Sequence, residues 1–161
     1  MHIVLDQPQI PQNTGNIART CAVTGAKLHL IKPMGFTIDD AKLKRAGLDY
    51  WHMLGVEIHE SITAFYAGCP KDARLFYLTT KAPRDYTSVS YRPNDYLVFG
   101  KETAGLDEAM LRQHLDFCIR IPMVSDARSL NLSNSVAIVL YEALRQQNFP
   151  GLMGQGKLGE G

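Results

Sequence analysis

The sequence predicts an α/β fold: a mainly parallel sheet with helices on both faces. Three observations carry that expectation. Six short aliphatic or β-branched runs recur along the chain, segments with helical starts and helical apolar spacing lie between them, and the two kinds alternate as crossover connections require. The 161 residues, 45% hydrophobic and 20% charged, have the composition and length of one ordinary globular unit rather than of a disordered chain.

The elements follow in order. Ile3 to Leu5 is the first strand run, and the segment Thr14 to Val23 after it is a helix for which Asn13 offers an N-cap. Leu28 to Ile31 precedes a helical segment at Asp39 to Arg45, and Val56 to His59 precedes another at Ser61 to Ala67. Leu75 to Thr79 and Tyr96 to Phe99 are the next strand runs, and the helical segment Asp107 to Leu115 leads into the last, Phe117 to Ile121. The strongest helix spans Ser133 to Gln147. Its apolar residues Val136, Ala137, Val139, Leu140, Ala143 and Leu144 follow the i, i+3, i+4, i+7 rule, so one face is core or interface. Tyr141 and Glu142 among them favour an interface, and hence a dimer. Residues 1–150 are expected to form a single domain. The stretch from Pro150 to Gly161 holds five glycines in twelve residues without an apolar period, so residues 151–161 read as a flexible tail.

Bulk properties exclude several classes. The longest clear apolar run, Val136 to Tyr141, falls far short of the ~18 residues of a membrane helix, and no basic, then apolar, N-terminal leader is present. A cytoplasmic protein is expected. Cys21, Cys69 and Cys118 are odd in number and widely spaced, which suits buried thiols in a reducing compartment. His2, His29, His52, His59 and His114 show neither H-x-x-x-H nor H-E-x-x-H spacing, so no metal is expected. Seventeen Lys/Arg against sixteen Asp/Glu give a net charge of +1, which excludes a strong non-specific polyanion binder. The charge is uneven. Residues 1–50 sum to +2 and residues 101–161 to −1, with the basic excess around Lys42, Lys44 and Arg45. Tyr50, Trp51 and His52 follow, and cations beside aromatics are the means by which single-stranded RNA loops are gripped; a solvated helix face beside a core tryptophan is the alternative.

Ligands of parallel sheets sit beyond the carboxyl ends of the strands, and three loops there carry unusual residues. After the first strand come Asn13, Gly15 and Arg19, which a capped helix with a surface arginine would also explain. After Phe99 comes Gly100-Lys101-Glu102-Thr103-Ala104-Gly105-Leu106, neither a Walker A loop nor a G-x-G-x-x-G fingerprint. Glu102 beside a ligand would repel phosphate and tolerate a sulfonium; an ordinary turn is the other reading. After Ile121 comes Pro122 to Ser135, where five of the last seven positions are Ser or Asn. That is more hydrogen-bonding capacity than one N-cap uses, and the surplus could read a nucleobase edge or an amino-acid moiety.

Together these loops resemble the three motifs of the SpoU class of SPOUT methyltransferases. Asn13, Gly15 and Arg19 match N-x-G-x-x-x-R; Gly100, Glu102, Gly105 and Leu106 match G-x-E-x-x-G-L; Ile121-Pro122-Met123 with Ser129-Leu130-Asn131 and Ser133 match the third. Pro33-Met34-Gly35-Phe36 and Arg45 to Trp51 narrow the likeness to the small single-domain tRNA (cytidine/uridine-2'-O-)-methyltransferases (TrmL type). It covers residues 1 to about 150. Ala104 departs from the polar or basic residue expected there, which bears on RNA contacts more than on the cofactor.

The resemblance implies a C-terminal trefoil knot, a homodimer, and S-adenosylmethionine as cofactor, held by Leu78, Gly100, Glu102, Ile121, Met123, Ser129, Leu130 and Asn131. It implies methyl transfer to the ribose 2'-hydroxyl of the wobble cytidine or uridine in leucine tRNA anticodon loops, with Arg19 as the catalytic residue. Lys42, Lys44, Arg45 and Tyr141 are the expected RNA contacts on the anticodon stem-loop. An arginine is a poor proton acceptor, so Arg19 is expected to hold a phosphate or a developing alkoxide. The competing readings are a ribosomal RNA enzyme of the same class, disfavoured because no extra domain precedes Met1, and a non-catalytic RNA-binding protein of this fold.

Overall fold

The computed structural model describes residues 1–38, 45, 50 and 53–159. In chain order these form β1 (His2–Asp6), α1 (Pro11–Thr24), β2 (Lys27–Ile31), β3 (Val56–His59), α2 (Ile62–Gly68), β4 (Leu75–Leu78), β5 (Tyr96–Phe99), α3 (Glu108–Gln113), β6 (Cys118–Ile119) and α4 (Leu132–Gln146). The six strands make one sheet in the order β3-β2-β1-β5-β4-β6, and every pair is parallel. The helix expected at Asp39 to Arg45 lies outside the described residues except for Arg45.

Period-2 alternation divides the strand residues between two apolar layers. Ile3, Leu5, Leu28, Leu30, Leu97, Phe99 and Ile119 face α1 and α4, whose Ile17, Ala18, Cys21, Val136, Val139 and Leu140 are buried against them. Val4, Ile31, Tyr77, Tyr96 and Val98 face the other way, beneath Phe65 of α2 and Leu111 of α3. Helices therefore cover both faces. Cys21 and Cys118 are buried and Cys69 is half-buried; burial pushes the Cys21 thiol up to about 12, so it is inert.

Most elements differ from expectation by a residue or two at their ends, and the start of α1 and the extent of β6 differ by more. Helix α1 begins at Pro11, with Ile10 as its cap residue, because proline at the first helical position needs no donor and brings a helical φ. Asn13 is therefore not the N-cap but a buried residue of the first turn. The run Phe117 to Ile121 yields a strand of only Cys118–Ile119, because a 3-10 turn over Leu115–Phe117 takes its start and Arg120 beyond its end makes only an isolated bridge to Asp85. Beyond α4, residues 150–159 form no helix or strand, yet Leu152 packs against the core and its N–H donates to the Phe149 carbonyl at 3.1 Å.

Candidate active site

The loops after β4, β5 and β6, joined by the start of α1, enclose one cavity of about 560 Å³ at the carboxyl edge of the sheet. All eight residues expected to touch a cofactor line it: Leu78 from the end of β4, Gly100 and Glu102 from beyond β5, and Ile121, Met123, Ser129, Leu130 and Asn131 from beyond β6. Ile10 and Asn13 close it from the α1 side.

The loop after β5 is shaped by its glycines. Lys101 and Gly105 bridge antiparallel, the Gly105 N–H donates to the Lys101 carbonyl at 2.8 Å, and Gly105 sits at φ +70°. A Cβ on Gly100 would stand 2.1 Å from the Gly105 carbonyl carbon and 2.2 Å from the Leu106 nitrogen. Only glycine permits that close approach.

Side chains then tie the segments after β1, β5 and β6 together. Glu102 accepts hydrogen bonds from the backbone N–H of Gln9 (2.8 Å) and Ile10 (3.0 Å) and from Asn13 Nδ2 (3.2 Å). Asn13 Oδ1 in turn accepts from Asn131 Nδ2 at 3.0 Å. Asn131 Oδ1 accepts from the N–H of Ser133 and Asn134, and from the Ser133 hydroxyl, which caps α4. The Glu102 carboxylate is thus committed to the entrance of α1 rather than turned free toward a ligand. Much of the Ser/Asn surplus is likewise spent on the helix start, since the Ser135 hydroxyl also donates to the Asn131 carbonyl at 3.1 Å. Sequence reasoning missed the Glu102–Asn13–Asn131 chain, whose links join residues 89 and 118 positions apart.

The expected cations are placed elsewhere. Lys101, in the loop after β5, donates from its Nζ to Gln7 Oε1 at 3.0 Å. Lys81, on the cavity wall, pairs with Glu108. Arg128 also lines the cavity. Arg19 is exposed on α1 outside the cavity lining, with its guanidinium 4.8 Å from the centre of the Tyr50 ring. Arg45 is exposed; Lys42, Lys44, Trp51 and His52 lie outside the described residues. Tyr141 is 44% exposed on α4, near the ring of Phe149, and Ile138 and Val23 add apolar surface on α4 and α1. Among the described residues no helix is long and apolar enough to cross a membrane.

The SpoU rRNA Methylase family model matches residues 1–141. The chain belongs to that family. Within it, the chain is 51% identical over 152 residues to the tRNA (cytidine(34)-2'-O)-methyltransferase of Escherichia coli strain K12, covering 94% of this chain and 96% of that one. A solved protein described as "Structural insights into the 2-OH methylation of C/U34 on tRNA" superposes with a TM-score of 0.87 at 45% identity, over 91% of this chain and 95% of that one. The SpoU methyltransferase AviRb of Streptomyces viridochromogenes, solved with AdoMet, superposes at 0.77 and 28% identity, over 92% of this chain and 58% of that one. The SpoU-family cleft of this chain suits such a cofactor by its own chemistry. Its volume falls in the usual range of about 300–1,000 Å³ for small-molecule sites. Leu78, Phe99, Leu106 and Ile121 supply apolar wall, and with Lys81 and Lys101 engaged no cluster of cations among the described residues is left to receive a triphosphate.

Proposed function

We propose that this chain is an S-adenosylmethionine-dependent tRNA 2'-O-methyltransferase acting on the ribose of the wobble cytidine or uridine, with leucine tRNAs as substrates. The observation that carries the reading is the convergence of three motif-bearing loops on one cavity, tied by Glu102, Asn13 and Asn131. Leu78, Gly100, Ile121, Met123, Ser129, Leu130 and Asn131 would hold the cofactor, with Glu102 acting through the loop it anchors. The cofactor supplies a methyl group already activated for transfer, and the protein supplies alignment and water exclusion.

Arg19 holds the backbone phosphate of the target nucleotide, or the alkoxide forming at its ribose, while the Tyr50 ring limits the guanidinium's freedom. Arg19→Lys keeps the charge and loses the planar fork. It is expected to lower the methyl-transfer rate by about tenfold to a hundredfold with cofactor affinity unchanged, measured by single-turnover transfer and by calorimetry. Near-full turnover in that variant would exclude a fixed bidentate role.

Arg19 lies outside the cavity lining, so the reading is completed by a homodimer in which α1 and α4 meet their counterparts across a two-fold axis. Val23, Ile138 and Tyr141 supply the apolar contact surface. Sedimentation at micromolar concentration is expected to give twice the chain mass, and Ile138→Asp a monomer with little transfer activity. Tyr141 and the segment containing Lys42, Lys44 and Arg45 would then be presented twice to the anticodon stem-loop. The same reading takes residues 1–150 as one cytoplasmic domain with a trefoil-knotted C-terminal part and a short tail. Incubation with labelled S-adenosylmethionine and bulk tRNA, followed by mass-spectrometric mapping, tests the whole. Label on a base, or none in tRNA, would reject it.

A further inference from the structure

On the sheet face beneath α2, away from the cavity, the parallel register brings three ligand-type side chains together. His29 of β2 stands opposite Glu57 of β3, and His59, two residues further along β3, points to the same face. His29 Nδ1 lies 3.1 Å from His59 Nε2 and 3.6 Å from Glu57 Oε2, and the last two are 4.0 Å apart. A triangle with these sides has a point about 2.1 Å from every corner, the bond length zinc makes to imidazole nitrogen and carboxylate oxygen. Tetrahedral geometry at that bond length separates ligand atoms by about 3.4 Å, so an ion raised out of the plane of the triangle to take a fourth ligand requires the exposed Glu57 carboxylate to move in by a few tenths of an ångström.

We propose that His29, Glu57 and His59 form a site for a zinc-class divalent cation, with water as the fourth ligand. The surroundings suit this assignment. His29 Nε2 is 2.9 Å from His2 Nδ1, so His29 can donate its ring proton to His2 and turn the Nδ1 lone pair toward Glu57 and His59. His2 is itself stacked on Tyr96, with ring centres 4.1 Å apart, and the Phe65 edge packs against both His29 and His59. The His29 side chain is 5% exposed and His59 17%, whereas Glu57 is 55% exposed, so the site opens to solvent on the carboxylate side. An ion there would clamp edge strand β3 to β2. Two imidazoles and one carboxylate form the donor set of open zinc sites, and they carry less negative charge than calcium or magnesium sites use. The expectation of no metal rested on helical spacings; on strands the productive spacing is i, i+2 plus a residue from the neighbouring strand.

The test uses the full, untagged chain, stripped with chelator and titrated with zinc chloride by calorimetry and thermal melting, and with cobalt(II) by visible absorption. One ion per chain, a melting temperature that rises with zinc, and the intense visible bands of four-coordinate cobalt are expected. Glu57→Gln and His59→Ala should each weaken zinc binding by at least about tenfold, and His2→Phe, which keeps the stack on Tyr96, by about tenfold. Cys69→Ser should change nothing. Cofactor affinity in each variant monitors the fold. Absence of saturable zinc binding, affinity unchanged in Glu57→Gln and His59→Ala, or loss of binding in Cys69→Ser would overturn the proposal.

Discussion

Gly100→Ala is expected to abolish useful cofactor binding while leaving the sheet folded. The added Cβ would meet the backbone of Gly105 and Leu106 at 2.1–2.5 Å, and these are main-chain atoms with no flexible end to swing aside. The turn that closes at Lys101 and Gly105 must therefore open. Opening it displaces Glu102, and with Glu102 go its bonds to Gln9, Ile10 and Asn13. Overpacking of this kind costs about 1–3 kcal/mol, which at its upper end is about two orders of magnitude in affinity for S-adenosylmethionine. Calorimetric titration reads that loss directly. An affinity within about twofold of the parent would mean that the Gly100 turn does not shape the site.

Glu102→Gln separates two roles that the motif alone cannot distinguish. If the carboxylate serves to anchor the α1 entrance, the amide replaces a charged acceptor of three donors with one neutral oxygen and a competing donor. Stability should then fall by about 1.5–3 kcal/mol, a drop in melting temperature of about 4–10 °C, together with transfer activity. If the carboxylate serves only to balance a sulfonium charge, cofactor binding falls and the melting temperature stays. The hydrogen-bond geometry predicts the first pattern.

These residues also show where the sequence was legible and where it was not. The strands of a parallel sheet are apolar runs, so Leu28 to Ile31 or Tyr96 to Phe99 could be read directly. The helices announced themselves through Ser61, Asp107 and the apolar stripe of α4, and both caps are present, on Ala64 and Met110 N–H respectively. Asn13 misled because capping is a local signal, whereas its partners Glu102 and Asn131 come from two loops distant in sequence. The last strand was overextended because apolarity alone does not register that Leu115–Phe117 closes a 3-10 turn. Of the cavity residues, Gly100, Glu102, Ser129 and Asn131 stood out by their residue types beyond strand ends, whereas Leu78, Ile121, Met123 and Leu130 were legible only through resemblance, since neither periodicity nor spacing brings Leu78 and Met123 to one cavity. The histidine cluster escaped for the opposite reason, since it has no motif and exists only in the register of β2 against β3.

On the proposed function, the three motif-bearing loops serve transfer to one hydroxyl, the 2'-OH of nucleotide 34. A leucine tRNA carrying a single 2'-deoxy substitution at position 34, assayed beside the all-ribose tRNA with labelled S-adenosylmethionine, tests it most directly. The all-ribose tRNA is expected to accept one methyl group, at the ribose of nucleotide 34, and the deoxy tRNA none. Equal incorporation into both, or label on a base of either, would contradict it.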